Sequence, residues 1–395
     1  MNKLTLKDVS LENKNVLMRV DFNVPLDEKL EVSDDTRIKA TLPTIRYILD
    51  KKPNKLILIS HLGRPEGKKD PKYSLRPVAK RLSELLAQQV RFIDDCIGKR
   101  VKEEIKETKE KVILLENLRF YPEEEKNDSN FSKELASLGD IFVNDAFGTA
   151  HRAHASTEGL THYLTSVAGL LLEKEIQYLG DLLQNPNRPF VVILGGSKVS
   201  DKIGVINNLL PKADSLLIAG AMAYTFLYAQ GKSIGNSKLE KDKVLVAKEI
   251  LEKAKSLNKD IVLPIDHIVV DNIDANASLE VAGEDIPSGK IAVDIGPQTI
   301  EEFKKRLKDA KTVVWNGPLG IFEIDKFSQG TYKVASFIAS LSCISIVGGG
   351  DTASSIAKFG LESKFSHIST GGGASLEFME GKLLPGIKAL TDKNE

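Results

Sequence analysis

Residues 190–198 read Phe-Val-Val-Ile-Leu-Gly-Gly-Ser-Lys. The apolar run, with β-branched residues at its centre, predicts a buried strand because branched side chains pack well on a pleated sheet. Gly195 and Gly196 end the strand and permit a sharp turn. An apolar strand that runs directly into glycine is typical of a parallel sheet whose strand ends border a ligand-binding crevice.

Similar short apolar runs occur on both sides of this stretch. Before it, the predicted strands are Val16–Val20, Lys55–Ser60, Val112–Leu115 and Asp140–Val143. From it onward, they are Phe190–Leu194, Ser215–Ile218, Asp260–Leu263, Thr312–Val314, Ile344–Val347 and His367–Ser369. Amphipathic stretches such as Ser132–Leu138, with Ser132 as N-cap, and Lys241–Leu257 predict helices between the strands. This alternation predicts an α/β fold with doubly wound, Rossmann-like parallel sheets.

A cluster of helix-breaking residues divides the chain, Gln184-Asn185-Pro186-Asn187-Arg188-Pro189. A helical stretch over 168–183 leads into this cluster. The length of 395 residues also exceeds what one hydrophobic core usually serves. We therefore expect two doubly wound domains, residues 1–170 and 186–377, joined by a helix over 171–185, with the active site in the interdomain cleft.

Charge balance and cysteine content argue against several classes of protein. Lys plus Arg and Asp plus Glu number 55 each, so any anion site has to come from local clustering rather than from a global field. No apolar run is long enough to span a bilayer, and the N-terminus lacks the apolar core of a signal peptide. Cys96 and Cys343 form no CxxC pair. We expect a cytoplasmic protein with neither nucleic-acid nor membrane partners.

The residues that follow the strands differ between the two halves of the chain. In the first half they are charged or polar: Arg19, Asp21, His61, Arg64, Arg119, Asp145 and Arg152. In the second half they are glycines: Gly195, Gly196, Gly220, Gly317, Gly348 to Gly350, and Gly371 to Gly373. Arginine forks suit carboxylate and phosphate, whereas exposed backbone N–H groups suit nucleotide phosphates. The two halves together predict an enzyme that transfers a group between two anionic ligands.

Two segments of the first half have competing interpretations. Asp21 and Asn23 lie two apart on an extended segment, where they either bind a polyol or shape a turn before Pro25. His151-Arg152-Ala153-His154 could bind a metal, but its spacing is not that of HExxH, and the central arginine favours an anion.

The glycine-rich segments of the second half also have alternatives. Gly195–Lys202 lacks the GxxxxGK[ST] spacing of a P-loop, and we expect Lys198 and Lys202 on one helix face. Residues 348–353 match GxGxxA, which favours a dinucleotide-dependent oxidoreductase, although the next strand ends without an acidic residue for the ribose. Asp351 suits either Mg²⁺ on nucleotide phosphates or a helix N-cap. A module that binds anions without catalysis is a third alternative.

Eight segments, in order along the chain, resemble the signature segments of the phosphoglycerate kinase family. They are Arg19–Pro25, Ser60–Pro65, Glu116–Phe120, Asn144–His154, Gly195–Lys202, Trp315–Pro318, Gly349–Thr352 and Thr370–Ser375. The chain departs from the family at Ser197, where alanine is common, and at Ala155, where serine is common. The resemblance implies a monomeric phosphotransferase of glycolysis and gluconeogenesis. It would use Mg²⁺ and transfer a phosphoryl group reversibly between 1,3-bisphosphoglycerate and ADP, giving 3-phosphoglycerate and ATP.

The resemblance also implies roles for individual residues. The phosphoglycerate would be held by Asp21, Phe22, Asn23, Arg37, His61, Leu62, Gly63, Arg64, Arg119 and Arg152. The nucleotide would be held by Lys202, Asn316, Glu323, Gly349, Gly350, Asp351 and Thr352, with Asp351 also at the metal. The catalytic groups around the transferred phosphoryl would be Arg37, Lys198, Gly371 and Gly372. Residues 1–170 would bind phosphoglycerate, completed by a returning tail over 378–395, and residues 186–377 would bind nucleotide.

The chemistry that the resemblance implies agrees with these residue types. The acceptor carboxylate is already ionised at neutral pH, so it needs no general base. Positioning and neutralisation of charge then supply most of the catalysis, and arginine, lysine, Mg²⁺ and backbone N–H groups perform both tasks.

Overall fold

The computed structural model describes residues 2–393, except for the side chains of residues 181 and 182. The chain forms two compact units. The first unit runs to Gln177 and takes up the chain again at Leu383, and the second is Tyr178–Lys382. The predicted ligand-binding domains, 1–170 with 378–395 and 186–377, and the connecting helix over 171–185 stay predictions.

The first unit is built on a parallel sheet with the strand order β3-β4-β2-β1-β5-β6. Its strands are β1 (Asn15–Arg19), β2 (Lys55–Ile59), β3 (Val90–Ile93), β4 (Val112–Leu115), β5 (Ile141–Asn144) and β6 (Ser166–Ala168). Its helices are α1 (Thr36–Asp50), α2 (Arg76–Leu86), α3 (Lys99–Glu107), α4 (Pro122–Glu125), α5 (Ser129–Ala136), α6 (Leu170–Glu175) and α15 (Pro385–Lys388). Short 3₁₀ helices are Leu6–Asp8, Pro71–Tyr73, Leu118–Phe120, Phe147–Thr149 and Gly159–His162.

Apolar residues on both faces explain why the central strands read as continuous hydrophobic runs. In β1, Val16 and Met18 pack in one core cluster with residues of α1 and α2. Leu17, between them, packs in a second cluster with residues of α3 and α5. Successive side chains of a strand point to opposite faces, so helices on both sides of the sheet require apolar residues at every position.

The second unit contains a parallel sheet with the strand order β15-β14-β13-β7-β8-β9 and an antiparallel sheet with the order β11-β10-β12. Its strands are β7 (Phe190–Leu194), β8 (Ser215–Ile218), β9 (Asp260–Val262), β10 (His267–Val270), β11 (Glu280–Ala282), β12 (Ile291–Ile295), β13 (Thr312–Asn316), β14 (Ile344–Gly348) and β15 (His367–Ile368). Its helices are α7 (Leu182–Gln184), α8 (Ile203–Leu209), α9 (Met222–Ala229), α10 (Val244–Ser256), α11 (Pro297–Leu307), α12 (Gln329–Ala339), α13 (Gly350–Lys358) and α14 (Gly373–Met379). Short 3₁₀ helices are Lys241–Lys243, Asp325–Phe327 and Glu362–Lys364, and a π-helical segment, Ile176–Asp181, joins α6 to α7.

The predicted fold class, α/β with two parallel-sheet domains, is confirmed. The antiparallel sheet was not predicted, and the predicted N-cap of the helix near residue 132 is wrong. The N-cap of helix α5 is Asp128, four residues earlier, whose side chain accepts a hydrogen bond from the N–H of Phe131 at 2.9 Å, so the helix begins at Ser129. Ser132 lies inside the helix, where its hydroxyl donates to the carbonyl of Asp128 at 2.7 Å.

The C-terminal segment pairs with the N-terminus and β6 within the first unit. The N–H of Leu4 donates to the carbonyl of Thr391 at 2.8 Å, and the N–H of Thr391 donates to the carbonyl of Ser166 at 3.0 Å. Lys3 and Asp392 form an ion pair at 3.0 Å. Among residues 2–393, no helix combines the length and the apolar character needed to cross a membrane.

A buried carboxylate, Asp145, follows β5 and holds the start of α6. Its Oδ1 accepts hydrogen bonds from the N–H groups of Leu171 at 2.9 Å and Leu172 at 3.2 Å. Burial raises the pKa of Asp145 to about 7, and the two N–H donors oppose that rise. A buried carboxylate without a cationic partner holds its proton tightly because the charged form loses its hydration.

Asp145 should therefore make the chain less stable as the pH rises. Its pKa is higher in the folded state than its ordinary value of 3.8, so the folded state binds the proton more tightly between the two values. The free energy of unfolding should fall by roughly 4 kcal/mol from this group between about pH 4 and pH 7. Asp145→Asn should flatten that part of the profile, measured by urea unfolding at several pH values. Asp140→Asn, which changes an exposed carboxylate of the same unit, is the control; parallel profiles for wild type and Asp145→Asn would contradict the assignment.

Candidate active site

The charged residues of the first unit lie at one edge of its sheet. Strands β4, β2, β1 and β5 are adjacent and parallel, so their carboxyl ends meet at this edge. The segments that leave these ends carry Asp21 and Asn23, His61 and Arg64, Arg119, and Arg152. Ligands of open α/β sheets bind beyond the carboxyl ends of the strands, so this edge is the candidate anion site.

Asp21 and Asn23 organise the loop after β1. Arg37, from the first turn of α1, forms an ion pair with Asp21, Nη1 to Oδ2 at 2.8 Å. The other oxygen of Asp21 accepts the N–H of Asn23 at 3.3 Å, and the side-chain oxygen of Asn23 accepts the N–H of Gly63 at 2.9 Å. The side chain of Asp21 therefore makes a local hydrogen bond before Pro25, whereas that of Asn23 joins this segment to the loop after β2, and the binding of a polyol by both stays a prediction.

The arginines of this edge are close enough to affect one another. Nη1 of Arg119 donates to the carbonyl of Gly63 at 2.9 Å, and its Nε lies 3.1 Å from Oε1 of Glu125. Burial lowers the pKa of Arg119, and the charges of Arg152 and Arg64 lower it further. Arg64 and Arg152 are exposed, so this cluster of guanidinium groups presents positive charge to solvent and attracts anions.

Phe22 and Leu62 lie in the hydrophobic core rather than among the charged side chains of this edge. Both side chains are buried in the hydrophobic core of the first unit. The N–H of Phe22 donates to the hydroxyl of Ser60 at 3.0 Å, and the N–H of Leu62 donates to Oδ1 of Asn117 at 3.2 Å. The two residues anchor the loops that carry Asp21, Asn23 and His61.

His61 and His154 are uncharged at neutral pH. Burial lowers the pKa of His61 well below its usual range, and the charges of Arg19 and Arg119 lower it further. Burial likewise lowers the pKa of His154 to about 4, with Arg119 and Arg19 adding to the effect. Neither imidazole is therefore suited to accept a proton during a reaction at neutral pH.

The glycines of the second unit let backbone segments pack closely at the carboxyl edge of its parallel sheet. A Cβ on Gly195, directly after β7, would lie 2.2 Å from the carbonyl oxygen of Pro318. Gly317, directly after β13, has φ +99° and would place a Cβ 2.2 Å from the carbonyl oxygen of Gly195. The N–H of Gly317 donates to the hydroxyl of Thr352 at 2.6 Å. Larger residues at these positions would separate the two loops.

The prediction that Lys198 and Lys202 lie on one helix face is wrong. Helix α8 begins at Ile203, and residues 197–202 form turns before it. The carboxylate of Glu240 holds these turns because it accepts the N–H of Val199, the N–H of Ser200 at 3.3 Å and the hydroxyl of Ser200 at 2.7 Å.

The two lysines consequently have different surroundings. Lys198 is exposed, whereas burial lowers the pKa of Lys202 and its ammonium donates to Oδ1 of Asn316. The side-chain nitrogen of Asn316 is buried without a hydrogen-bond partner among the described residues. This unused donor would lie 3.0 Å from a Cβ on Gly349, so it points at the glycine turn after β14.

Two adjoining cavities lie at this glycine-rich edge. A cavity of about 240 Å³, which we call the polar cavity because charged and amide side chains contribute to its lining, is lined by residues that include Lys198, Lys202, Asn316, Gly350, Asp351 and Gly372. A second cavity, of about 310 Å³, is lined by residues that include Tyr224, Val293, Leu319, Phe322 and Glu323, and it shares Gly196, Ser197, Pro318 and Asp351 with the first. A polar compartment for phosphates next to an apolar one for a base is the shape that a nucleotide requires.

Asp351 lies in the first turn of α13 but is not its N-cap. The N-cap is Gly349, with φ +89°, so the N-cap interpretation of Asp351 is wrong. The carboxylate is exposed in the polar cavity, which Asp201 also lines. Mg²⁺ commonly binds through one or two carboxylates together with substrate phosphates and water, so these donors fit a nucleotide-bound Mg²⁺.

Gly371 and Gly372 contribute backbone to the same edge. The N–H of Gly371 donates to the hydroxyl of Ser369 at 3.2 Å. Gly372 has φ +52°, precedes α14 and lines the polar cavity. A left-handed backbone at this point favours glycine because a Cβ would be strained there.

The sequence model of the family described as "Phosphoglycerate kinase" matches residues 6–382 of the chain. The chain belongs to the phosphoglycerate kinase family. It is 56% identical over 398 residues to a phosphoglycerate kinase of Pseudothermotoga lettingae, with 100% of each chain covered. It is 55% identical to that of Chlorobaculum tepidum, covering 99% of this chain and 100% of the relative.

Solved structures of phosphoglycerate kinases are similar to the whole chain. The structure of phosphoglycerate kinase from Coxiella burnetii has a TM-score of 0.90 at 43% identity, and 98% of both chains is covered. That of phosphoglycerate kinase from Pyrococcus horikoshii has a TM-score of 0.84 at 35% identity, with the same coverage.

Sequence reasoning missed residues whose hydrogen bonds support the candidate site of each unit. Glu240 is 41 residues from Val199, whose N–H it accepts. It lies beside the charged run Lys241-Asp242-Lys243, which reads as an ordinary solvated surface. Glu124 and Ser156, both buried, were missed because no local sequence pattern connects them to the strand ends.

Glu240→Ala should loosen the loop that carries Lys198 and Lys202. The loss of hydrogen bonds to a charged acceptor should lower ADP affinity about three- to tenfold. Isothermal titration calorimetry measures the affinity, and hydrogen exchange should show faster exchange over residues 197–202. Glu249→Ala removes an exposed glutamate of α10 and serves as the control. Unchanged ADP affinity and exchange in Glu240→Ala would show that the carboxylate does not hold the loop.

Proposed function

We propose that this enzyme transfers a phosphoryl group reversibly between 1,3-bisphosphoglycerate and ADP, giving 3-phosphoglycerate and ATP, as a step of glycolysis and gluconeogenesis. One observation carries the proposal: the carboxyl edges of the two parallel sheets have complementary chemistry. The first edge presents arginines, and the second presents glycine turns, lysines and a carboxylate around a two-part cavity. Membership of the phosphoglycerate kinase family supports the same reaction.

The arginine-rich edge is proposed to bind phosphoglycerate. Arg64, Arg119 and Arg152 would bind its phosphate or carboxylate through their forks, which match planar oxyanions. Asp21 and Asn23 would accept or donate hydrogen bonds to the hydroxyl. The backbone of Phe22, Leu62 and Gly63 would frame the ligand, and His61 would donate a hydrogen bond without adding a charge, because its pKa is held low.

The two-part cavity is proposed to bind the nucleotide. The base and ribose would lie in the apolar compartment, with Glu323 at the ribose, and Lys202, Asn316 and the turn from Gly349 to Thr352 would hold the phosphates. Asp351 would hold Mg²⁺, directly or through water. The ion would supply neutralisation of the phosphate charge.

Arg37, Lys198, Gly371 and Gly372 are proposed to stabilise the transferred group. The acceptor carboxylate is ionised at neutral pH and attacks without a base, which agrees with the low pKa of both His61 and His154. The negative charge on the transferred phosphoryl oxygens would be stabilised by the guanidinium of Arg37, the ammonium of Lys198 and the backbone of the turn at Gly371 and Gly372.

We also propose that the enzyme works in the cytoplasm as a monomer. Cys96 and Cys343 are both free thiols, which suits a reducing compartment. The residues proposed for each ligand come from a single chain, so neither site needs a second copy to supply a group.

A coupled assay tests the proposed reaction. Purified protein with 3-phosphoglycerate, ATP and Mg²⁺ should produce 1,3-bisphosphoglycerate, detected through consumption of NADH by added glyceraldehyde-3-phosphate dehydrogenase. NADH consumption without that coupling enzyme would favour the dinucleotide-dependent alternative. Ligand binding without turnover would favour a binding module, and either result would contradict the proposal.

Arg37→Ala should abolish turnover and leave nucleotide affinity nearly unchanged. Arg37 lies in the arginine-rich unit, paired with Asp21, and its loss removes a charge that the transition state needs. The value of kcat should fall by on the order of a hundredfold or more. Steady-state kinetics and equilibrium ADP binding measure the two effects. Arg91→Ala, which removes an exposed arginine of β3, is the matched control, and a kcat of Arg37→Ala within a few-fold of wild type would refute the role.

Asp351→Asn should retain stability and lose metal-dependent activity. Gly349 is the N-cap, so only the favourable charge in the first turn of α13 is lost, about 0.5 kcal/mol. The affinity for Mg²⁺-ATP should fall about tenfold because the amide is a poorer ligand for Mg²⁺ than a carboxylate. Kinetics across a Mg²⁺ titration measure this, with Asp309→Asn as a control for the change in charge. Wild-type kinetics throughout the titration would exclude Asp351 as a metal ligand.

A further inference from the structure

A buried polar network lies behind the arginine-rich edge and consists of Arg19, Ser156, Glu124 and His61. Arg19 is the last residue of β1, and its side chain is 1% exposed. Ser156 and Glu124 are 0% exposed. None of the three was assigned to a ligand above, and a buried guanidinium and a buried carboxylate are costly unless their hydrogen bonds are satisfied.

The network connects Arg19 to Glu124 through one hydroxyl. Nε of Arg19 donates to Oγ of Ser156 at 2.8 Å, and this hydroxyl donates to Oε1 of Glu124 at 2.6 Å. Oε2 of Glu124 accepts the N–H of Ser156 at 3.0 Å. Both oxygens of Glu124 thus act as acceptors, as a carboxylate requires. Burial raises the pKa of Glu124, and the charges of Arg19 and Arg119 oppose that rise.

One of the two remaining nitrogens of Arg19 determines the tautomer of His61. Nη1 donates to the carbonyl of Val20, and Nη2 lies 3.2 Å from Nδ1 of His61. A guanidinium has only donors, so Nδ1 has to be the acceptor and the imidazole proton has to be on Nε2. The partner of one ring nitrogen therefore selects the tautomer and fixes the ring.

We propose that Arg19, anchored by Ser156 and Glu124, is a positioning residue that holds His61 as a neutral imidazole with its Nε2–H available to an oxyanion ligand. The proposal deepens the proposed function, on which it rests for the identity of the ligand. The groups that face His61 are Arg19, Arg37, Arg119 and His154. With three guanidinium groups around it, the ring gains more by donating a hydrogen bond than by carrying a further positive charge.

Nitrogen-15 NMR of histidine-labelled protein tests the tautomer directly. The chain has 6 histidines, so a His61→Gln spectrum identifies the signals of His61. Wild type at pH 7 should show a neutral ring with the proton on Nε2. Arg19→Gln should give a mixture of tautomers and a higher pKa for His61, because the shorter glutamine amide ends near the position of Nε, too far back to replace Nη2 at Nδ1, and carries no charge. A wild-type ring that is cationic or protonated on Nδ1, or an unchanged tautomer in Arg19→Gln, would overturn the proposal.

Kinetics then separate positioning from general loss of structure. In Arg19→Gln the KM for 3-phosphoglycerate at pH 8 should rise about three- to tenfold with kcat changed less. On lowering the pH to 6, that KM should fall relative to wild type because His61 becomes cationic. A pH-independent ratio of the two KM values would contradict the proposal even if the tautomer changes. These readouts are distinct from a failure of the proposed function, which would appear as absent turnover in wild type with the tautomer intact.

Two further variants keep the test decisive. Ser156→Ala retains the charge of Arg19 but removes the hydroxyl that anchors its guanidinium. The nitrogen-15 signals of His61 should therefore shift in the same direction as in Arg19→Gln, but by a smaller amount. If Arg19→Gln does not fold, Ser156→Ala tests the proposal in its place.

Asp140→Ala is the structural control, because it removes the acceptor for the N–H of Asn15, 2.7 Å away at the opposite end of β1. It should lower the melting temperature without changing the tautomer of His61. If the tautomer of His61 changes equally in Asp140→Ala, the change comes from loosening of β1, and the role of Arg19 is overturned.

Discussion

Parallel pairing of the strands is the constraint on which both candidate sites depend. In a parallel sheet all carboxyl ends lie at the same edge, so segments far apart in the chain meet there. In the first unit this places the loops after β1, β2, β4 and β5 side by side, although they span residues 19–154. In the second unit it places Gly317 against Gly195 and Thr352. Helices cover both faces of such sheets, and this leaves the edge as the place for polar chemistry.

Local hydrogen bonding makes a cationic site possible in a chain with no net charge. Guanidinium groups placed close together repel one another, and the structure offsets the repulsion with acceptors behind them. Asp21 pairs with Arg37, Glu125 lies beside Arg119, and Glu124 is joined to Arg19 through Ser156. The exposed Arg64 and Arg152 add positive charge at the solvent-facing side of this edge. In the second unit, hydrogen-bond acceptors hold the lysines and their loop. Oδ1 of Asn316 accepts a hydrogen bond from the ammonium of Lys202, and the carboxylate of Glu240 holds the loop that carries Lys198.

Sequence patterns predicted those parts of the fold and site whose signal is local. The central strands were found because helices on both faces demand uninterrupted apolar residues. Strand β3, which reads Val-Arg-Phe-Ile with Arg91 exposed, and the antiparallel sheet, with exposed residues in β11, lack that signal. Residues directly after strands were likewise found as candidates. Arg37 and Glu323, which do not directly follow a strand, were assigned only through resemblance to the family. Glu124, Ser156 and Glu240 act through long-range hydrogen bonds that no window of sequence contains.

Hydrogen exchange with one ligand at a time is the most direct test of the central claim, that each parallel sheet binds one of the two ligands at its carboxyl edge. With 3-phosphoglycerate alone, protection should appear in the segments after β1, β2, β4 and β5, around Asp21, His61, Arg119 and Arg152. With Mg²⁺-ADP alone, it should appear over residues 195–202, after β13 and across the turn from Gly349 to Thr352. Protection of the same segments by both ligands, or protection of the arginine-rich edge by Mg²⁺-ADP, would contradict the account.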